Sequence, residues 1–595
     1  MTHPEPPQEP RDPKESKVER AKRASDNLRG TIHETLERDD ATHFEEHDLA
    51  PLKFHGIYQQ DNRDTRAQRR RDGLDKDYSL MIRICAPGGV CTPAQYLDLD
   101  NIASRYGNRG LRLTTRQAFQ IHGVIKSNRR TTLREINRAL LSSLTACGDI
   151  PRNVMAPPAP YATEPYTRAR ELAITLAREL APATGAYHEI WVDGERAEPD
   201  DNTLDREEPF YGRTYLPRKF KVGVALDTDN SVDAYAYDLA LVGIVDAGAI
   251  IGYNLLAGGG LGMTHNKPDT FARIATEIGF VPPELAIETV RTVVAVYRDH
   301  GDRASRRHAR LKYLIEQWGT ARFKQEIEQR LGKQLLPPRH TDEPKQLDHL
   351  GRHEQGDGKS FLGVFVPNGR IADPSDGATG PRYASAFRAI ARELAPRVIL
   401  TPMQSIIFAD LTPPQIERAE QLLTQHDVPT PQQLSKARRY SMACPALPTC
   451  GLALAESERV QPELIQRFET ELDRLGLSET DLTIRMTGCP NGCARPYNAD
   501  IGIVGRKPGA YHVYVGGGLS GNRLADLYQA DVPLDEIVTR LRPLLEHFAR
   551  NRHTDESLGD FYRRAIATDR PSRTLLTGRE EPTAPRHNTE TSDDR

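Results

Sequence analysis

Residues 79–90 read SLMIRICAPGGV, and residues 360–371 read SFLGVFVPNGRI. Each stretch is a mainly apolar run that ends at a proline followed by glycine, which predicts a β-strand closed by a turn. Farther along, residues 111–123 (LRLTTRQAFQIHG) match residues 398–410 (VILTPMQSIIFAD) as strand, turn and strand. The repetition predicts that the chain contains two copies of one supersecondary unit.

A second pair of segments repeats in the same order. Residues 243–262 (GIVDAGAIIGYNLLAGGGLG) are similar to residues 502–521 (GIVGRKPGAYHVYVGGGLSG), and residues 220–227 precede the first as residues 484–493 precede the second. The chain therefore reads as a duplicated unit of about 250 to 300 residues. Its mixture of strand runs and amphipathic helices predicts an α+β fold. One duplication accounts for the 595 residues without four unrelated domains.

The composition is that of an ordinary globular protein. The 80 Lys and Arg residues nearly balance the 83 Asp and Glu residues, for a formal net charge of −3. This balance argues against a general nucleic-acid or membrane-surface binder. No stretch is long and apolar enough for a transmembrane helix, and residues 1–12 lack the apolar core of a secretory signal. Because seven cysteines are few and odd in number, we expect reduced thiols and a cytoplasmic protein.

Four of the cysteines lie close together, as Cys444-x5-Cys450 and Cys489-x3-Cys493. Pro and Gly surround both pairs, which favours loops whose sulfur atoms converge on a metal site. Structural zinc sites more often use shorter spacings and histidine, so four thiolates without nearby histidine favour a [4Fe–4S] cluster. Zinc and four metal-free buried thiols are the alternatives. The other three cysteines lie among apolar residues and are expected in the core: Cys85, Cys91 and Cys147.

The two copies differ in charge. The first copy alone carries four cations: Arg83, Arg116, Lys219 and Lys221, the two lysines being matched to Leu482 and Ile484 or, one residue along, to Thr483 and Arg485. The second copy alone carries the clustered cysteines. A site between the copies would therefore bring an anionic ligand next to a redox cluster.

Several motifs carry a resemblance to a known family. They are KFHGIYQQDNRD (53–64), RNVMAPP (152–158), YLPRKFK (215–221), GYNLLAGGGLGMTHN (252–266) and TGCPNGCARP (487–496). In these motifs the chain resembles the sirohaem- and [4Fe–4S]-containing sulfite and nitrite reductases, and among them the haemoprotein (β) subunits of NADPH-linked members. The TGCPNGC block, with its upstream C-x5-C pair, is highly specific for this family.

The resemblance implies a pseudo-two-fold fold of three interleaved domains around a central cofactor. The expected divisions are a flexible, partner-contacting extension (1–75), paired ferredoxin-like half-domains (76–148 and 358–430), a sirohaem- and anion-binding domain (149–345), a [4Fe–4S] domain (436–570) and a flexible tail (571–595).

The resemblance also implies the residues of the site. The cluster ligands would be Cys444, Cys450, Cys489 and Cys493, with the Cys493 thiolate bridging to the sirohaem iron as its axial ligand. The cations that bind sulfite would be Arg83, Arg152, Lys219 and Lys221. Because sirohaem has eight carboxylates, it needs a basic cradle, which would comprise Arg112, Thr114, Arg116, Gln117, Gln120, His122, Arg303, Arg306, Arg310 and Lys312. The cations between positions 303 and 310 would share one face if that segment were helical.

Three features depart from simple expectations. Asp302 stands where the family commonly has Asn, and Cys85 stands where it has a second basic residue. Residues 516–521 (GGGLSG) satisfy a dinucleotide-binding pattern but lack the acidic residue about 20 positions later, so no NADPH or flavin site is expected. Both glycine-rich loops are expected instead to bring backbone amides near a bulky cofactor.

The expected activity is six-electron reduction of sulfite to sulfide in sulfate assimilation and cysteine biosynthesis. Electrons would come from an NADPH-dependent flavoprotein α subunit, with ferredoxin as the alternative donor. Nitrite reduction to ammonia is the rival within the family; Lys221 favours sulfite, because nitrite enzymes tend to have Asn there and two lysines suit a doubly charged anion. A non-catalytic Fe–S carrier and a zinc-stabilised scaffold are further alternatives, and neither explains the cations of the first copy.

Overall fold

The structure is a computed structural model that describes residues 15–25, 27–38, 40–183, 191–192, 195–196, 208–375, 377–567 and 575–577. Its helices, in chain order, are α1 (Lys17–Ala24), α2 (Ile32–Glu37), α3 (Leu49–Phe54), α4 (Arg66–Arg71), α5 (Pro93–Tyr106), α6 (Arg129–Arg138), α7 (Glu164–Glu179), α8 (Ala286–His300), α9 (Leu311–Trp318), α10 (Thr320–Leu331), α11 (Tyr383–Leu394), α12 (Pro413–Gln425), α13 (Lys436–Arg439), α14 (Gln461–Arg474), α15 (Ile537–Asn551) and α16 (Leu558–Ala565).

Its strands, in chain order, are β1 (Ile57–Asp61), β2 (Tyr78–Ile84), β3 (Val90–Cys91), β4 (Leu111–Leu113), β5 (Phe119–Val124), β6 (Trp191–Val192), β7 (Glu195–Arg196), β8 (Val222–Leu226), β9 (Leu239–Asp246), β10 (Ala249–Ala257), β11 (Phe271–Arg273), β12 (Thr276–Val281), β13 (Gly351–Glu354), β14 (Ser360–Val364), β15 (Arg370–Ile371), β16 (Arg397–Leu400), β17 (Ile406–Leu411), β18 (Met442–Ala443), β19 (Ile484–Thr487), β20 (Ile501–Lys507), β21 (Ala510–Val515), β22 (Asp526–Pro533) and β23 (Leu575–Thr577).

The first pair of repeated segments forms two antiparallel five-stranded sheets, one from each copy. Their strand orders are β1-β2-β5-β4-β15 and β13-β14-β17-β16-β3. The strand–turn–strand predictions for both copies are confirmed. Each sheet takes its last strand from the other copy, because β15 pairs with β4 and β3 pairs with β16. One apolar core runs through both sheets and the helices packed on them, including α5, α11 and α12. The strand exchange ties together two segments that are far apart in sequence.

The second pair of repeated segments forms two further sheets, one from each copy. Their strand orders are β12-β10-β9-β8 and β18-β19-β20-β21-β22. In each, a parallel pair (β8 with β9, β19 with β20) continues into an antiparallel hairpin. The α+β duplicated fold expected from the sequence is therefore confirmed. The loop of residues 516–521 leads into strand β22 and not into a helix, so the context of a dinucleotide-binding loop is missing there.

Two buried aspartates in equivalent positions show which residues of the two copies correspond. The Asp238 carboxylate accepts a hydrogen bond from the backbone N–H of Lys221 (2.9 Å), and the Asp500 carboxylate accepts one from that of Thr483 (3.0 Å). Lys221 is therefore equivalent to Thr483, and Lys219 to Asp481. Both pairings expected from the sequence are wrong, by one and two residues, because the hairpins that follow differ in length.

The described part of the N-terminal extension packs against the rest of the chain. Strand β1 adds to the first sheet by pairing with β2, and Phe44, Leu52 and Ile57 join the core of that sheet. The three bystander cysteines are buried, as predicted. Within the described residues, no helix is long and apolar enough to cross a membrane.

Candidate active site

A cavity with a strongly positive lining lies where the two copies of the second repeat meet. Thr115, Tyr237 and Cys493 are part of its wall. Among the described residues that line it there is no Asp or Glu, and the lining cations are Arg116, Arg218, Lys219, Lys221, Arg306, Arg307, Arg310, Lys312 and Arg495. Such a cavity attracts anions, and the charges repel one another until an anion enters.

Two lysines reach the cavity from the chain that leads into β8. Lys219 and Lys221 flank buried Phe220, so the alternation of an extended chain turns both side chains to the same side. Burial, followed by the neighbouring cations Arg218 and Arg310, lowers the pKa of Lys219 to about 7. Burial and Lys219 lower the pKa of Lys221 well below its ordinary value. Burial therefore favours the neutral form of both lysines.

Buried carboxylates behind the wall hold two of the cavity arginines. Asp238 accepts from Arg310 Nε (2.9 Å) and Nη2 (2.8 Å), and Asp149 accepts from Arg306 Nη1 (2.5 Å) and Nη2 (2.7 Å). Such two-point pairs fix the direction of a guanidinium group. Lys312 is held by backbone carbonyls instead, including that of Gly260 at 2.9 Å.

Arg116 retains donors for a ligand. Its Nη2 donates to the carbonyls of Asn153 (2.5 Å) and Val222 (3.1 Å), and its guanidinium lies 4.7 Å from the centre of the Tyr237 ring. Its Nε and Nη1 are buried without a hydrogen-bond partner. Buried donors of this kind are normally satisfied. Together with the cationic lining, they fit a cofactor with many carboxylates, such as sirohaem.

Eight of the fourteen anion- and sirohaem-binding residues expected from the sequence lie outside this lining: Arg83, Arg112, Thr114, Gln117, Gln120, His122, Arg152 and Arg303. Arg112 is buried against Glu458 and donates to the Ala443 carbonyl (3.0 Å), and Gln117 donates to the Leu400 carbonyl (2.9 Å). These two side chains join the copies, which explains why they are polar and buried.

Arg83 and Arg152 lie together beside the cavity, around a tyrosine that the sequence reading missed. Tyr58 hydrogen-bonds Arg152, and the Arg83 guanidinium lies 5.9 Å from the centre of its ring. With the Gln120 amide turned so that its oxygen faces Arg83, that oxygen accepts from Nη2 at 2.6 Å and from Nε at 3.0 Å. The nitrogen of the turned Gln120 amide donates to His122 Nε2 (3.2 Å). Burial lowers the pKa of His122 well below the ordinary value.

The basic segment before α9 is not helical. Residues 301–310 form bends and turns, and the helix begins at Leu311. The Asp302 carboxylate accepts from the backbone N–H groups of Ala304 (2.8 Å) and Ser305 (2.9 Å), which stabilises a turn. This departure from the family pattern therefore has a structural role. Arg306 and Arg310 line the cavity, whereas Arg303 is not part of its lining.

Three other cations in the lining were missed as site residues. Arg218 adjoins Lys219, Arg307 adjoins Arg306, and Arg495 follows Cys493 by two residues. Adjacency to a site residue was the only sequence signal, and it does not say which side chain turns inward. Of the two glycine-rich loops, only that at 258–262 contributes to the lining described here.

The four clustered cysteines come from loops at one edge of a sheet. Strands β18 and β19 are parallel neighbours, so Cys444 and Cys489 follow carboxyl ends that lie side by side. The backbone N–H of Gly488 donates to Cys444 Sγ (3.3 Å), and the Asn491 amide donates to Cys489 Sγ (3.5 Å). Hydrogen bonds to sulfur are typical of Fe–S sites.

The pKa values of these thiols are raised, so their thiolate forms need a positively charged metal group to stabilise them. Burial, followed by the Cys493 thiol, raises the pKa of Cys489 to about 12, and the same two causes raise the pKa values of Cys444 and Cys450. In the described chain, no three His, Cys, Asp or Glu side chains converge to hold a single metal ion. A [4Fe–4S] cluster binds each thiolate at a different iron and needs no such convergence.

Comparisons with known proteins agree with this fold. The family described as "Nitrite and sulphite reductase 4Fe-4S domain" matches residues 174–335 and 435–565, and the one described as "Nitrite/Sulfite reductase ferredoxin-like half domain" matches residues 72–139 and 353–426. A solved structure, that of the Mycobacterium tuberculosis NirA protein, has the same fold, with a TM-score of 0.73 at 23% identity over 92% of this chain and 96% of that one.

Curated relatives cover most of the chain. A sulfite reductase (NADPH) hemoprotein beta-component from Methylobacterium sp. (strain 4-46) is 46% identical over 543 residues, 91% of this chain and 89% of its own. A sulfite reductase (ferredoxin) from Synechococcus elongatus is 45% identical over 540 residues, 88% of this chain and 85% of its own. The chain therefore belongs to the nitrite and sulphite reductase family.

Proposed function

We propose that this protein reduces sulfite to sulfide, as the haemoprotein subunit of an NADPH-linked assimilatory sulfite reductase. The observation that carries the proposal is the position of Cys493, which belongs to the four-cysteine set and also lines the cationic cavity. A thiolate shared between an iron–sulfur cluster and a haem iron couples the two groups directly. When bound, sirohaem and the [4Fe–4S] cluster would pass electrons from the donor to sulfite one at a time, six in all, which no side chain can do.

The chain's own residues would divide the remaining work. Cys444, Cys450, Cys489 and Cys493 would hold the cluster, with Cys493 also the axial sirohaem ligand. Arg116, Arg306, Arg310 and Lys312 would neutralise sirohaem carboxylates, and the aspartates behind Arg306 and Arg310 hold those two guanidinium groups in place at the cavity wall. The other expected cradle residues would support this set from outside the lining: Arg112, Thr114, Gln117, Gln120, His122 and Arg303.

Sulfite would be bound by cations that differ in how they handle protons. Lys219 and Lys221 would neutralise the anion and donate protons, since their lowered pKa values let them give up a proton readily. Arg83 and Arg152 would orient the sulfite oxygens without losing theirs. Each oxygen that leaves as water consumes protons, so a mixture of fixed and titrating cations suits the reaction.

The electron donor is proposed to be an NADPH-dependent flavoprotein. A relative from Myxococcus xanthus named as the NADPH-type hemoprotein component is 43% identical over 538 residues, 90% of this chain and 94% of its own. Within the extension, residues 28–32 (LRGTI) and 54–60 (FHGIYQQ) also resemble NADPH-linked members. Because all seven cysteines are free thiols, we propose a cytoplasmic location.

An absorption spectrum and iron analysis of the purified protein test the proposed function. We expect sirohaem Soret and visible bands and about five irons per chain, four in the cluster and one in the haem. With an artificial reductant, sulfite should be preferred over nitrite. A colourless zinc protein, or an Fe–S spectrum without haem, would contradict the proposal, and a strong preference for nitrite would reassign the substrate.

The affinity for sulfite should fall as pH rises above about 7. Lys219, with a pKa of about 7 before any anion binds, is largely neutral at higher pH. Bound sulfite favours the charged form of Lys219 and raises its pKa, so binding takes up a proton above about pH 7. The affinity should therefore fall by up to about tenfold per pH unit. Sulfite titrations of the sirohaem-loaded protein between about pH 7 and pH 9 would measure this; a flat profile would contradict it.

A further inference from the structure

Three cations donate hydrogen bonds to three consecutive backbone carbonyls just before the Arg218–Lys221 segment. Arg303 Nη2 donates to the Tyr215 carbonyl (2.6 Å), Lys22 Nζ to the Leu216 carbonyl (2.9 Å), and Arg306 Nη1 to the Pro217 carbonyl (2.9 Å). Charge-assisted bonds are among the stronger hydrogen bonds in proteins. The next residues, Arg218, Lys219 and Lys221, all line the cationic cavity. We call the three gripping cations, Lys22, Arg303 and Arg306, the carbonyl clamp.

Two buried carboxylates form ion pairs with the cations of the carbonyl clamp. Glu19 pairs with Lys22 and accepts from Arg303 Nη1 at 2.7 Å. Asp149 lies 3.5 Å from Lys22 Nζ and accepts two hydrogen bonds from Arg306. Each carboxylate thus bridges Lys22 to one of the two arginines, so Lys22 is the common member of the network.

Lys22 and Glu19 come from α1, which is far from the other members in sequence. Ser16 caps this helix by accepting from the N–H of Glu19 (3.4 Å), and the N–H of Ser16 donates to the Arg303 carbonyl (3.1 Å). Glu19 and Lys22 are each only 1% exposed. Burying a lysine and a glutamate is costly, and apolar residues would dock a helix equally well. A need to hold the chain ahead of the cavity accounts for their presence.

We propose that Lys22 is a positioning residue for anion binding. It acts through the Leu216 carbonyl and Asp149, and so fixes the direction in which Arg218, Lys219 and Lys221 enter the cavity. The proposal rests on the proposed function, because the anion is taken to be sulfite. Helix α1 of the N-terminal extension thereby contributes to anion binding through Lys22.

The test compares Lys22→Met with Arg20→Met in the full-length holoenzyme. Arg20 is an exposed cation on the same helix, so its loss controls for charge and for helix propensity. The readouts are the sulfite Kd from the shift of the Soret band, KM and kcat with an artificial reductant, and the melting temperature. For Lys22→Met we expect Kd and KM to rise about tenfold, as for the loss of one charge-assisted hydrogen bond, with a smaller change in kcat. Lys22→Arg should recover most of the affinity.

A second variant keeps the test decisive if Lys22→Met does not fold. Glu19→Gln keeps the size of the side chain but removes the charge that holds Lys22 and Arg303 and replaces one of its two acceptor oxygens with a donor, and Kd should rise about threefold. If Lys22→Met, or failing that Glu19→Gln, binds sulfite as Arg20→Met does, the positioning role is wrong. A wild-type protein without sirohaem would overturn the proposed function instead, before any variant is compared.

Discussion

Cys493→Ser protein should lose at least about 1,000-fold in sulfite reduction with an artificial reductant, because the change removes the thiolate proposed to bind both the cluster and the sirohaem iron. Cys493 is exposed in the cavity wall, so the substitution creates no void in the apolar core. A serine hydroxyl ionises far less readily than a thiol and binds iron poorly. The spectrum should show a shifted or absent Soret band, and the iron content should fall well below about five per chain.

The matched control is Cys91→Ala. Cys91 is a buried thiol on β3, in the exchanged strand and outside the cysteine set, so its loss should change stability but neither the iron content nor the spectrum. Full activity and an unchanged spectrum in Cys493→Ser protein would remove the shared thiolate from the mechanism. Loss of iron in both variants would point to a general effect of cysteine removal.

Lys221→Asn should lower kcat/KM about 100-fold for sulfite and about tenfold for nitrite. The electrostatic attraction that one cation contributes is about twice as large for a doubly charged anion as for a singly charged one at the same position. The backbone should stay in place, because the Lys221 N–H is held by Asp238 and the equivalent residue of the second copy is an uncharged threonine, Thr483.

Parallel steady-state kinetics on the two anions would measure this difference, with Lys333→Asn as the control. Lys333 is exposed near the end of α10, so its loss should affect neither substrate. Equal losses for sulfite and nitrite in Lys221→Asn protein would contradict the role assigned to its charge. The spectrum of the variant should be recorded as well, since a loss of sirohaem would lower both rates together.

Some features were accessible from the sequence because they are local. The cysteine spacings record two tight loops, and the repeated strand–turn–strand patterns record a duplication, so the α+β fold could be predicted and the four cysteines proposed as cluster ligands. Lys219 and Lys221 alternate about an apolar residue, which is enough to place both on one side of an extended chain. Motif order along the chain then identified the family.

Other features depend on contacts between distant segments, which a local pattern does not record. Arg303 and Arg306 belong to one basic run and both donate to backbone carbonyls, yet only Arg306 lines the cavity, because the Asp302 turn replaces the helix expected there. The exchange of β3 and β15 between sheets has no sequence signal of its own. Contacts between distant segments decide such cases, because they determine which arginines line the cavity. The sequence determined which residues could bind iron and anions, and the tertiary structure decided which of them do structural work instead.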